Sequence, residues 1–170
     1  MKTKLMTALC LSLVLILAST AGAQIQAGSE EDKAYQKITA EKNPDAQALL
    51  LVNFEKQFPQ SKILPDVYQM LVNIYTAKND TAKIADFGEK AIKADPQNVS
   101  ALLSVSRVYA MQGRNLDTAV TYAQKAVDSV EKMKTQAVPS NYTDAEWRDL
   151  IRANEEAAKS QLSYAKAVRK

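Results

Sequence analysis

Apolar residues recur at three- and four-residue steps along most of the chain, and nowhere do apolar and polar positions alternate for long enough to mark a strand. The steps are interrupted by residues that start and stop helices. Ser29 followed by Asp32 signals a first helix running to about Lys42, with Ala34, Tyr35 and Ile38 on one face. Asn43 as cap and Pro44 at the first helical position restart the chain, predicting a second helix to about Phe58. Pro65 opens a third that ends at Asn79-Asp80, and a fourth runs from about Thr81 to Ala94 before Asp95-Pro96. Asn98 caps a fifth that ends at Gln112-Gly113, and Asn115 or Asp117 starts a sixth that reaches about Lys134. Residues 135–143 form the one sizeable loop. Thr143 with Glu146 is a capping-box pattern, so a seventh helix follows to the C-terminus. Its stripe is Trp147, Leu150, Ile151, Asn154, Ala158, Leu162, Ala165 and Val168. The fold class read from this pattern is all-α.

The helices repeat. Tyr68-x-x-Leu71-x-x-x-Tyr75 is followed after 34 residues by Leu102-x-x-Val105-x-x-x-Tyr109. The second helix of each pair carries its own phrase, in Leu51-x-x-Phe54-x-x-x-Phe58, Ile84-x-x-Phe87-x-x-x-Ala91 and Ala119-x-x-Tyr122-x-x-x-Ala126. Positions i, i+3 and i+7 share a helical face, so Phe54, Phe87 and Tyr122 are expected to fill the seams of the stack. A unit of this length cannot bury its own apolar face, which predicts an α-α superhelix (solenoid) of about three helix-turn-helix repeats plus a C-terminal capping helix.

These residues resemble the tetratricopeptide repeat family. The copy from Pro65 to Asn98 is similar to the family pattern at Tyr68, Leu71, Tyr75, Ile84, Ala91 and Pro96, and the copy from Val99 to about Lys132 at Leu102, Val105, Tyr109, Ala119 and Ala126. Where the family has a small residue after the Leu, this chain has Val72 in one copy and Ser106 in the other. The resemblance covers roughly residues 30–168, with the first copy (30–64) the weakest. Phe58-Pro59-x-Ser61 also resembles exported bacterial repeat proteins of the envelope. The resemblance implies a non-catalytic protein-protein interaction scaffold whose concave groove is lined by first helices. The groove positions it implies are Asp66, Gln69, Asn73 and Thr76, then Ser100, Leu103, Arg107 and Ala110, with Arg148 and Arg152 from the last helix. Gln69, Asn73, Leu103, Arg107, Arg148 and Arg152 are the candidate partner-binding residues. Two readings of the three arginines stand side by side: they meet on one side of the groove and take an anionic group on a partner protein or peptide, or Asp149 and Glu155, close in sequence, pair with the same arginines on a solvated face. The alternative is a structural subunit of an envelope assembly complex that uses its convex face.

Composition narrows the chemistry. Lys2 and Lys4, the apolar run from Leu5 to Ala18 and Ala21-Gly22-Ala23 form a signal-peptide pattern over residues 1–23, which predicts an exported chain, periplasmic or secreted, with a flexible mature N-terminus at 24–29 and a repeat domain at 30–170. A membrane anchor needs roughly 20 apolar residues, more than this run supplies. Cys10 is the single cysteine and falls within the signal, which leaves no thiol for disulfides or nucleophilic chemistry. Loss of Lys2 and Lys4 takes the 22 basic residues to 20 against 19 acidic ones, a net charge of about +1. With both signs interspersed, no basic block of the nucleic-acid-binding kind is present.

The chain has no histidine, which removes the usual general base and metal ligand. Neither a catalytic residue, a cofactor nor a metal is expected. The acidic runs Glu30-Glu31-Asp32 and Glu155-Glu156 read as solvated faces. Asn79-Asp80-Thr81, Asn98-Val99-Ser100 and Asn141-Tyr142-Thr143 each fit the glycosylation triplet, and each stands where a helix needs a cap, the reading preferred here.

Overall fold

The computed structural model describes residues 25–170, so the predicted signal segment and Cys10 lie outside the described residues. Seven helices and no strands are found among the described residues: α1 (Glu30–Ala40), α2 (Pro44–Gln57), α3 (Leu64–Ala77), α4 (Thr81–Ala94), α5 (Val99–Met111), α6 (Leu116–Met133) and α7 (Asp144–Arg169). None of these helices is long and apolar enough to cross a membrane.

Most ends follow the predicted punctuation. Asn43 Oδ1 accepts from the Asp45 and Ala46 N–H groups, Asn98 Oδ1 from Ala101 N–H at 2.9 Å, and Thr143 forms a complete capping box with Glu146. Each glycosylation-like triplet thus does place a cap, through Asp80, Asn98 and Thr143. Three details differ from the sequence reading. The first helix stops at Ala40 rather than Lys42, because Glu41 is already extended ahead of the Asn43-Pro44 step. Asn115 stands at the start of α6 in the left-handed region (φ 50°) and makes no side-chain cap bond, and Asp117 lies inside the first turn. Residues 25–29, expected to be flexible, form a turn in which Gly28 N–H donates to Asp32 and Ile25 rests against the core.

Each helix packs on the next in the chain, and α3 also meets α5 while α5 meets α7. One continuous core results, running from Ile38 through Leu51, Leu71, Val105 and Ala126 to Ala165. The repeated phrases supply it: Tyr68, Leu71 and Tyr75 of α3, and Leu102, Val105 and Tyr109 of α5, are all buried. Phe87 is buried and stacks on Tyr75, ring centroids 5.6 Å apart. Phe54 is buried between Tyr35 and Phe58. Next to Phe87 the α4 backbone comes so close to α5 that a Cβ on Gly88 would stand 2.3 Å from Val105 Cγ2. Glycine at that position is therefore a packing requirement, not a flexible joint.

The residues at the small position after the Leu, Val72 and Ser106, are both fully buried. Ser106 holds its place through polar contacts. Its Oγ donates to the Ala119 carbonyl at 2.7 Å and accepts from Gln161 Nε2 at 3.0 Å, which ties α5 to both α6 and α7. Gln161 is thus a buried member of the α7 stripe that an apolar pattern does not reveal.

Candidate functional site

The end of α3, the turn into α4 with Thr81 and Ile84, the length of α5 and Asn154 of α7 enclose a cleft of 430 Å³. Thr76, Ser100, Ser104 and Asn154 supply polar groups to it, Leu103 an apolar one and Arg107 the cation. Arg107 is exposed and has no ion-pair partner among the described residues, so its planar fork is free for a carboxylate.

Of the six candidate binding residues, the structure brings Leu103 and Arg107 into this cleft. Gln69 and Asn73 stand beside it but are engaged with the fold: Gln69 Nε2 donates to Asn73 Oδ1 at 2.8 Å and to Ser100 Oγ at 3.0 Å, linking α3 to α5. Ala110, a groove position implied by the resemblance, is instead buried in the core.

Arg148 and Arg152 are placed differently from the expectation. Two ion pairs mark the register of α7 on α6, which the buried Ala158, Gln161 and Ala165 hold: Lys134 to Glu155 at 2.9 Å at one end, and Asp117 to Arg169 at 3.1 Å at the other. Residues 155–169 therefore run antiparallel along α6, while 144–154 extend past its C-terminal end by about 16 Å at 1.5 Å per residue. Arg148 and Arg152 lie on this extension and do not line the cleft, to which α7 contributes Asn154. Arg152 is bonded to Asp149 one turn away at 2.9 Å, with both side chains largely exposed. The cleft thus holds one guanidinium rather than three.

A second polar centre, on the α4 side of the stack, has no counterpart in the sequence reading. Glu89 of α4 accepts from the Tyr109 hydroxyl of α5 at 2.8 Å and from the Tyr122 hydroxyl of α6 at 2.7 Å, so one carboxylate clasps three helices. Tyr122 fills its seam only in part: its ring is half-buried against the core, and its hydroxyl reaches back to Glu89 of the preceding unit. The pairing of Glu55 with Tyr68 at 3.1 Å repeats the device one unit earlier, Glu55 standing 34 residues before Glu89. Burial, reinforced by the adjacent Glu89 carboxylate, pushes the Tyr109 hydroxyl up to about 12 and raises that of Tyr122 as well. Burial next to Glu55 likewise pushes Tyr68 up to about 12.

A raised folded-state value stabilises the fold fully below the ordinary tyrosine value of about 10, and that stability is lost as pH rises through the folded value. The melting temperature is expected to hold up to about pH 10 and to fall between pH 10 and 12. Glu89→Gln should flatten part of that fall by removing the charge that opposes tyrosinate. A titration of tyrosinate absorbance checks this, and ordinary values for all seven tyrosines would contradict it.

No group of three or more His, Cys, Asp or Glu side chains arranged to hold a metal occurs among the described residues. Compared with known protein families, with curated proteins and with solved structures, the chain finds no match.

Proposed function

We propose that this chain is a non-catalytic protein-interaction scaffold of the tetratricopeptide type: an exported solenoid that holds a partner protein or peptide in the cleft between α3, α5 and α7. One observation carries the reading. The two phrases 34 residues apart are buried on α3 and α5, which pack on each other, and α5 in turn packs on α7, so the helices that carry the repeat stand in one row with an open face in common. The cleft on that face has an apolar contact in Leu103, hydroxyl and amide groups, and the forked cation Arg107. Such a lining suits an extended chain carrying a carboxylate. Without histidine, and with the only cysteine in the leader-like segment, the imidazole that most often serves as general base or metal ligand and the thiol nucleophile are missing from the repeat region.

The exposed large apolar residues are Leu49 on α2, Met111 on α5 at the inner cleft, Val138 and Tyr142 in the 135–143 loop, and Tyr164 with Val168 one turn apart on α7; they are spread over four elements, with no more than two on any one, which gives the convex-face alternative little support. The test is recovery of a partner from an envelope extract by the immobilised chain at low and moderate salt. Arg107→Ala should reduce recovery several-fold and remove most of its salt dependence, whereas Arg152→Ala, already neutralised by Asp149, should change neither. Recovery unaffected by Arg107→Ala at both salt concentrations would sink this reading.

A further inference from the structure

A larger cleft, of 650 Å³, opens at the edge of the stack, away from Arg107, where the corner between α2 and α3 faces the last turn of α4. Leu64 and Pro65 form an apolar part of its wall, and three ammonium groups border it, those of Lys62, Lys90 and Lys93. Lys90 is committed. Its Nζ donates to both oxygens of Glu55, at 3.0 and 3.3 Å, and lies 5.0 Å from the centre of the Phe87 ring. Glu55, the acidic residue in the lining, is thereby used by Lys90 and by the Tyr68 hydroxyl. Glu31, near the rim, is bonded to Ser61. Lys62 and Lys93 are exposed and have no ion-pair partner among the described residues, so two ammonium groups remain open to a ligand on an apolar hollow. The mutually repelling carboxylates of Asp66 and Asp95 stand next to the lining residues Pro65 and Ala94.

We infer that this edge cleft is a second docking site, separate from the inner one, that takes an acidic peptide segment with an apolar residue next to its carboxylate. The apolar side chain rests on Leu64 and Pro65 while the carboxylate lies between Lys62 and Lys93. Charge complementarity names the occupant, and the geometry selects it over two other anions. Inorganic phosphate favours a cradle of backbone N–H groups. Here Pro65 has none, and the Ile63 and Leu64 N–H groups are taken by Ser61 Oγ at 3.2 Å and the Ser61 carbonyl at 3.4 Å. Anionic lipid is held by clusters of about 4–8 basic residues on a surface that can meet a membrane, whereas this hollow offers two free ones.

The probe is a short fluorescein-labelled peptide of alternating glutamate and leucine, followed by anisotropy on the full chain, with its glutamine-leucine counterpart as control. The glutamate peptide should bind at least about tenfold more tightly than the control and weaken as salt is added. Lys62→Glu with Lys93→Glu should cost about tenfold in affinity, a change of about 1.4 kcal/mol. The comparison is repeated in an Arg107→Ala background, where the inner cleft has lost its cation: the roughly tenfold loss on Lys62→Glu with Lys93→Glu should persist there, which separates this site from the inner cleft, and its disappearance would overturn the assignment. Because both lysines are exposed, the melting temperature of the double variant should match the parent; should that variant fail to fold, Lys62→Gln with Lys93→Gln gives the same comparison. Equal binding of the two peptides, or binding indifferent to both lysine pairs, overturns the assignment. Displacement of the peptide by equimolar inorganic phosphate or by phosphatidylglycerol vesicles overturns the choice of occupant.

Discussion

Phe87→Ala is expected to destabilise the protein by about 3–5 kcal/mol, the range for removing a buried aromatic ring whose surroundings relax only in part. The ring is buried, stacks on Tyr75 of the partner helix and carries Lys90 over its face, so its loss takes contacts from α3 and α4 together. Relaxation by closing the two helices is limited, since α4 is already wedged against Val105 of α5 at Gly88. Urea unfolding checks the value through its midpoint at constant slope. A loss below about 1 kcal/mol would mean that the repeats are not packed in this register.

Ending the chain after Thr143 is expected to have a still larger effect. It removes all of α7, including buried Trp147, Ala158, Gln161 and Ala165, together with the side chain that satisfies Ser106. The α6 stripe of Ala119, Ala123, Ala126 and Val130, now fully covered, would lose part of its cover, and with it the α5 surface beside Ser106. A terminal repeat with its apolar face uncovered is poorly soluble. Aggregation, or a melting temperature many degrees lower, is therefore the predicted result in light scattering and thermal unfolding. A soluble monomer with an unchanged melting temperature would contradict the role given to α7.

The elements were legible where one residue type does one local job. Asn43, Asn98 and Thr143 cap helices from within two or three residues of themselves, and their positions in the sequence were enough to place α2, α5 and α7. Period also showed, because buried aromatics recur at the spacing of the units that bury them. The site was less legible. Arg107 and Leu103 were found through the repeat register, but the α7 stripe runs its whole length and carries no mark of which half meets α5. The buried Gln161–Ser106 bond to α5 and the Glu155 and Arg169 ion pairs to α6 show it in the folded chain, and they leave Arg148 and Arg152 outside the cleft. Gln161 reads as surface because its partner Ser106 is 55 residues earlier. Glu89 is hidden for the same reason, since its two tyrosines come from different helices. Lys62 and Lys93 gain significance only once the α2–α3 corner is folded against the end of α4.

The central claim, that a partner is held in the inner cleft, is tested most directly by mapping amide chemical shifts of isotopically labelled protein as the recovered partner is added. The account predicts perturbations concentrated at Thr76, Ser100, Leu103, Arg107 and Asn154, with the outer residues of α4 and α6 unmoved. Perturbations confined to α6, the part of α4 beyond Ile84 or the Leu49 surface of α2, with the cleft residues silent, would contradict it.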